Sequence, residues 1–313
     1  MDAEVGWTAA QTRRLLGCAL AASLAAGEEV LRIYRRGFSV GYKEDRSPLT
    51  EADVSAHRIL KSRLAAGAGA DCRFPFLSEE GANVPFAERR AWPAYWLVDP
   101  LDGTREFIES NGEFSINVAL IVGARPMLGV VHMPARGDVY FAARLFGAFH
   151  LRSIEAAGAV AGDDPSGAEL LARVLADAEP LPAVQPAAAS TRFRVVSSRH
   201  HRVAHREERF LSLLRARFSG VDLVAAGGAL KFCLLAEGSA EVYPRFGPTM
   251  EWDTAAGQCV LEVAGGQVAD TATGASLRYN KESLRNGAFL ALAGRGGAPA
   301  ADPGFVLGAM RRA

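Results

Sequence analysis

The chain lacks an excess of charge of either sign. Its 35 Lys and Arg are matched by 35 Asp and Glu, a formal net charge of +0 over 313 residues. That argues against a nucleic acid polymer as partner, though not against a local basic patch. Cysteine is scarce, and the four residues, at 18, 72, 233 and 259, include no C-x-x-C pair. They read as reduced, mostly buried thiols of a cytosolic protein. No apolar run approaches about 18–20 residues without a charge, so no transmembrane helix is expected. No basic leader is expected either. Arg13-Arg-Leu-Leu-Gly-Cys18 faintly resembles an export or lipoprotein signal, but Asp2 and Glu4 precede it and most of the apolar run follows Cys18. The location expected is therefore cytoplasmic, with peripheral attachment to an inner membrane left open. No internal repeat is present.

What is there is ordinary for a globular chain: 49% hydrophobic and 22% charged residues. That is enough to bury a large core in one compact unit or two lobes. Residues 8–36 read as an amphipathic helix ending at Gly37. Phe38–Gly41 reads as a strand, and Thr50 as the cap of a helix over Ala52–Ala66. Phe74–Ser78, Tyr95–Val98, Phe114–Val122, Leu128–Met133 and Asp138–Ala142 read as strands, the later ones forming an antiparallel sheet. Beyond an Ala-, Gly- and Pro-rich stretch with one helix near Ala168–Ala178, strands and helices alternate from Phe193 to Ala264.

The chemistry concentrates in Trp96-Leu-Val-Asp99-Pro-Leu-Asp102-Gly-Thr104. An apolar strand ends in two aspartates three residues apart, which can share hard cations such as Mg²⁺. Pro100 fixes the backbone between them, so the Leu101 carbonyl can turn toward a cation. Gly103 and Thr104 offer free N–H groups at a helix start, where a phosphate oxygen is favoured. The plain alternative is an Asp-rich turn before a helix. Glu79 and Glu80, Asp253 in Glu251-Trp-Asp253, and Asp45 and Asp53 each read singly as a cap or a solvated charge, but they form a set with this turn. The D-x-x-D-G-T spacing differs from the D-x-D-G-T of phosphatases with a nucleophilic aspartate, which makes covalent chemistry the weaker reading. His57 and Asp138 read as surface residues, and His132 and His150 as structural.

This set resembles the lithium-sensitive, Mg²⁺-dependent phosphatase superfamily that includes inositol monophosphatase. Within it the chain looks like the bacterial 3′(2′),5′-bisphosphate nucleotidases of the CysQ type. The carriers are Ser47–Asp53, Leu77–Glu80, Tyr95–Ile121 and Leu230–Gly257, within a span of roughly residues 10 to 290. The resemblance implies an α/β protein: an α+β N-terminal lobe and an α/β C-terminal lobe forming a layered αβαβα sandwich. The expected division is a metal-binding lobe with an antiparallel sheet over 1–155, a loop-rich insertion or linker over 156–190, a substrate lobe carrying Asp253 over 191–295, and a flexible tail over 296–313.

The resemblance also implies roles. Glu79, Asp99 and the Leu101 carbonyl would hold one Mg²⁺, and Asp99, Asp102 and Asp253 a second, with two or three ions in all. Asp53 and Thr104 would position the attacking water, the amides of Gly103 and Thr104 would hold the phosphate, and Asp45 would support them. Ser198, His201, Lys231 and Arg245 would contact a small-molecule nucleotide bisphosphate, the cations holding its second phosphate. The implied reaction is hydrolysis of adenosine 3′,5′-bisphosphate to AMP and phosphate, which clears a by-product of sulfate assimilation. An inositol or sugar monophosphatase is the alternative, and a non-catalytic sensor would require loss of an acidic ligand or of Thr104. Monomer and homodimer both stay open. This chain departs from the pattern at His200, where a serine is expected, and at Gly227-Gly-Ala229, where Gly-Ser-Ser is expected. Those departures touch nucleotide contacts, not the acidic set.

Overall fold

The structure is a computed structural model that describes residues 7–42, 48–67, 73–158, 167–182, 192–200, 203–294 and 302–313. Asp45, His201 and Cys72 lie outside the described residues.

Helix α1 (Ala9–Arg36) starts at a Thr8–Gln11 capping box and stops at Gly37, whose φ of 86° favours glycine. Strands β1 (Val40–Tyr42) and β2 (Pro48–Thr50) form an antiparallel pair that feeds α2 (Glu51–Gly67). Seven strands then build one sheet. They are β3 (Phe76–Ser78), β4 (Ala94–Asp102), β5 (Ser115–Val122), β6 (Arg125–Met133), β7 (Asp138–Ala143), β8 (Gly147–Leu151) and β9 (Glu179–Pro180), laid side by side in that order. Only the β3–β4 pair is parallel; the rest are antiparallel. Short helices α3 (Phe86–Arg89) and α4 (Thr104–Ile108) flank β4.

The second sheet has the order β11-β10-β12-β16-β14. Its strands are β10 (Phe193–Ser198), β11 (Val221–Ala226), β12 (Val242–Arg245), β14 (Gln267–Asp270) and β16 (Phe289–Leu292). The ribbon β13 (Thr249–Met250) and β15 (Arg285–Asn286) stands apart from it.

The strands of the first sheet read as continuous apolar runs because both faces are covered. Trp96, Val98, Val118 and Val130 face α1 and α2. Tyr95, Leu97, Ala119 and Val131 face α7 (Leu230–Ala236) and α8 (Glu251–Val263). Those two helices also touch the second sheet through Val196, Tyr243 and Phe289. On its far side Phe193, Val195 and Leu290 pack on α6 (Ala204–Arg215) and α9 (Pro303–Arg312). The result is the expected αβαβα layering. Gly129 lets α8 lie directly on β6: a Cβ there would stand 2.6 Å from the Ala256 carbonyl oxygen and 2.9 Å from the Cys259 Cβ.

Some expectations fail and others hold. Residues 303–312 do not fray: Asp302 caps α9, and Val306, Ala309 and Met310 are buried in the third core. The helix expected near Ala168–Ala178 is present as α5 (Ala168–Asp177), and it packs with β9 on the first lobe because Leu170, Leu171 and Val174 form an apolar stripe buried against that core. Asp138 is not in a surface turn. It is 7% exposed, accepts a bond from Arg136 Nε at 3.0 Å and lies 3.5 Å from His150 Nε2. His57 is likewise only partly exposed, with Nδ1 3.0 Å from Ser78 Oγ. The two other histidines are packed inside: His132 Nδ1 meets the Ser23 carbonyl oxygen at 2.9 Å, and His150 stacks on Tyr140 at 3.9 Å.

Candidate active site

The end of β4 sets the site. Residues three apart on a regular strand point to opposite faces. Here Asp99 pairs with Asn117 and Asp102 with Ser115, so three steps of β4 run against two of β5. This bulge turns both aspartates, with Leu101 between them, into one cleft of about 620 Å³. Because β3 runs parallel to β4, its C-terminal end brings Glu79 into the same cleft. Asp253 arrives from the first turn of α8, where its Oδ2 accepts the Met250 N–H at 2.8 Å. Thr104 begins α4 beside Gly103, whose φ of 88° favours glycine. Thr104 Oγ1 lies 3.3 Å from the Leu101 carbonyl oxygen and 3.5 Å from Asp53 Oδ1. Asp53 is fixed by Thr50, whose N–H and hydroxyl both donate to Oδ2 at 2.7 Å.

Burial makes these carboxylates costly when charged. Desolvation is the largest cause in each case. It pushes Asp53 up to about 6, although Thr50 opposes it. It raises Asp99 well above the carboxylate range, with Glu79, Asp102 and Asp253 adding repulsion. Asp102 rises to about 6, with Lys231 opposing and Glu106 reinforcing, and Asp253 to about 8, with Asp102 next in weight.

The cleft also has a basic lining. Ser198, Lys231, Tyr243 and Arg245 line the same cleft. Lys231 is 7% exposed, donates to the Gly228 carbonyl and stands 5.6 Å from the Tyr243 ring centroid. Burial lowers its pKa, and Asp102 opposes the shift. Arg245 donates to the carbonyls of Gly247 at 3.2 Å and Pro248 at 3.1 Å.

Gly227 keeps the glycine of the pattern and Gly228 departs from it, and both have a steric reason. A Cβ at 227 would stand 2.7 Å from Glu106 Oε1, and one at 228, where φ is 45°, would stand 3.2 Å from Asp102 Oδ2. His200 reaches ion-pair distance of Glu109 at 3.2 Å and Glu106 at 3.7 Å, so it faces α4. Arg199 grips Glu113 with contacts of 2.8–3.1 Å, while the Gly227 N–H donates to Glu113 Oε2 at 2.9 Å. This clasp ties the second sheet to the loop after α4.

The cleft thus gathers every expected ligand and phosphate-holding residue, together with Ser198, Lys231 and Arg245; Asp53 joins through Thr104. Sequence reasoning missed Glu106, buried in the cleft wall. Its spacing of four from Asp102 across a helix start was a usable signal. It also missed Arg105 and Arg285, which line the cleft.

Among the described residues, no three His, Cys, Asp or Glu side chains stand as a ready-made cation cage. The fit lies in the donor set. Four mutually repelling carboxylates and one carbonyl, all oxygen, suit a hard divalent cation that neutralises them.

A layered sandwich with an all-oxygen acidic cleft at its strand ends, facing buried cations, defines a metal-dependent phosphatase. The chain belongs to the inositol monophosphatase family, which it matches over residues 11–301. Enzymes of this family are metal-dependent, typically on Mg²⁺. The 3′(2′),5′-bisphosphate nucleotidase CysQ of Shigella flexneri is 38% identical over 268 residues, covering 84% of this chain and 94% of that protein. The protein of the same name from Haemophilus influenzae is 31% identical over 277 residues, covering 88% of this chain and 91% of that protein. The crystal structure of CysQ from Bacteroides thetaiotaomicron matches with a TM-score of 0.74 and 39% identity, covering 89% of this chain and 96% of that one. An IMPase from Thermotoga maritima, at 19% identity and a TM-score of 0.67, shares the fold and covers 94% of this chain and 95% of that one.

Proposed function

We propose that the chain is a Mg²⁺-dependent 3′(2′),5′-bisphosphate nucleotidase that hydrolyses adenosine 3′,5′-bisphosphate to AMP and phosphate, recycling a by-product of sulfate assimilation. The observation that carries this is one cleft lined both by the carboxylate set and by Lys231 and Arg245. The carboxylates suit cations and a scissile phosphate; Lys231 and Arg245 suit a further anion. The named relatives point the same way.

In this reading Glu79, Asp99, Asp102, Asp253 and the Leu101 carbonyl hold two or three Mg²⁺ ions. Bound Mg²⁺ supplies charge neutralisation and a lowered pKa for a nearby water. The chain's own groups do the rest. Thr104 Oγ1 can give its hydrogen bond to Asp53 Oδ1 and turn a lone pair toward the attacking water, whose proton it orients. The first-turn amides at Gly103 and Thr104 have no intrahelical partners and hold the phosphate oxygens. The 3′-oxygen leaves in line, and no phosphoenzyme forms. Ser198 and the cations orient the nucleotide, with His201 assigned by resemblance alone. The buried thiols of Cys18, Cys233 and Cys259 suit a reducing cytoplasm.

The test is phosphate release with Mg²⁺ from adenosine 3′,5′-bisphosphate, inositol 1-phosphate and fructose 1,6-bisphosphate. The nucleotide should have the highest kcat/KM. A preference for inositol 1-phosphate would replace this reading with the monophosphatase.

A further inference from the structure

The cations assigned to the second phosphate are already partly engaged. Lys231 donates to the Gly228 carbonyl, and Arg245 spends Nε and Nη2 on the Gly247 and Pro248 carbonyls. Both are more than nine-tenths buried. Two other guanidinium groups line the cleft. Arg105 and Arg285 are exposed, and among the described residues neither side chain makes a hydrogen bond, ion pair or ring contact.

Arg285 stands on a fixed stem. It lies opposite Met250 in the β13–β15 ribbon, at the threshold of α8. Its neighbour Asn286 is 2% exposed and turns inward. Asn286 Nδ2 reaches the Met250 carbonyl oxygen at 3.0 Å, Thr254 Oγ1 at 3.0 Å and Thr249 Oγ1 at 3.2 Å, while Lys281 Nζ donates to Asn286 Oδ1 at 2.9 Å. Arg285, and not Asn286, lines the cleft. Pro248, Thr249 and Met250 connect this position to Arg245 along the same rim. Arg105 lines the cleft next to Thr104.

We propose that Arg285 is a specificity residue. Its guanidinium closes over the phosphate of the substrate that is not hydrolysed, completing a site whose floor is Arg245. This rests on the bisphosphate nucleotidase reading and deepens it. A planar fork on an anchored stem can bind two phosphate oxygens at once, and it leaves no internal partner behind when it moves. Arg105, beside the helix start that receives the scissile phosphate, serves any phosphate ester alike.

The experiment measures kcat and KM with Mg²⁺ for adenosine 3′,5′-bisphosphate and for adenosine 3′-monophosphate, which lacks the second phosphate. It uses the parent chain, Arg285→Gln, Arg285→Lys and Arg105→Gln. Arg285→Gln should raise KM for the bisphosphate about tenfold, the loss of one charge-assisted contact, and leave kcat and the monophosphate unchanged. Arg285→Lys should recover part of the affinity, as a charge without the fork. Arg105→Gln should weaken both substrates equally. Unchanged bisphosphate kinetics in Arg285→Gln, or equal losses on both substrates, overturns the proposal. So does a parent enzyme that prefers the bisphosphate while Arg105→Gln, and not Arg285→Gln, is the selective variant. A parent enzyme that prefers inositol 1-phosphate sinks the substrate reading itself, and is seen before any variant is made.

Discussion

On the acidic wall of the cleft, Asp99, Asp102 and Asp253 are each held by a hydrogen bond from a neighbour: the Leu101 amide, Asn117 Nδ2 and the Met250 amide. These bonds orient the carboxylates without cancelling their repulsion. On the basic wall, Lys231 and Arg245 give only part of their N–H donors to backbone carbonyls, the Gly228 carbonyl for Lys231 and those of Gly247 and Pro248 for Arg245. The first wall is oriented but unbalanced and demands a cation. The second is partly satisfied as it stands and keeps N–H donors to offer a ligand. Loss on the acidic side should therefore be all-or-none, and loss on the basic side graded.

The largest effect tests that asymmetry directly. Asp99→Asn removes charge from the aspartate that feels all three of its acidic neighbours. Turnover should fall about 10³-fold or more. Glu208→Gln, on the outer helix α6 with its side chain 63% exposed, should leave kcat unchanged. Similar activities in the two variants would take Asp99 out of the centre.

A middle-sized effect belongs to Lys231→Ala. A lost charge-assisted contact is worth about 1.5–3 kcal/mol, or roughly 10- to 150-fold in KM for the bisphosphate. Because Lys231 also faces Asp102 and repels a cation there, the variant should need less Mg²⁺ for half-maximal rate, whereas Arg285→Gln should leave the requirement unchanged. An unchanged Mg²⁺ requirement in Lys231→Ala would mean that the two walls act independently.

The smallest effect is on stability. Asp53 and Asp102 are raised to about 6 and Asp253 to about 8, above the value of roughly 4 for an unfolded carboxylate. Across that window the folded chain binds more protons than the unfolded one, so stability falls as pH rises. In EDTA, Tm should decline from about pH 5 to about pH 8, and Mg²⁺ should reverse most of the decline. Asp253→Asn should flatten its upper part. A Tm indifferent to pH in EDTA would show that the carboxylates do not strain the fold.

The same contrast explains what could be read in advance. The acidic wall comes from local signals: an apolar run ending in D-x-x-D-G-T, and Thr50 spaced three from Asp53. Each is a short-range backbone geometry written in consecutive residues. The layering follows from helix and strand periods. Arg285 had no such signal, because it enters the cleft only through the pairing of Met250 with a strand formed 35 residues later. Asp138 looked like a turn residue because its partner His150 lies on the next strand. The last helix hid behind a Gly/Pro-rich stretch, and only burial against the second sheet gives it a reason to form.

Gly129 acts as a gauge block. The bare backbone of β6 carries α8 at a fixed height above the sheet that holds Asp99, and Asp253 rides on the end of that helix. The span between the two aspartates is thus machined at a place no substrate reaches. One methyl group there would detune the cleft from beneath while every residue in it stayed the same.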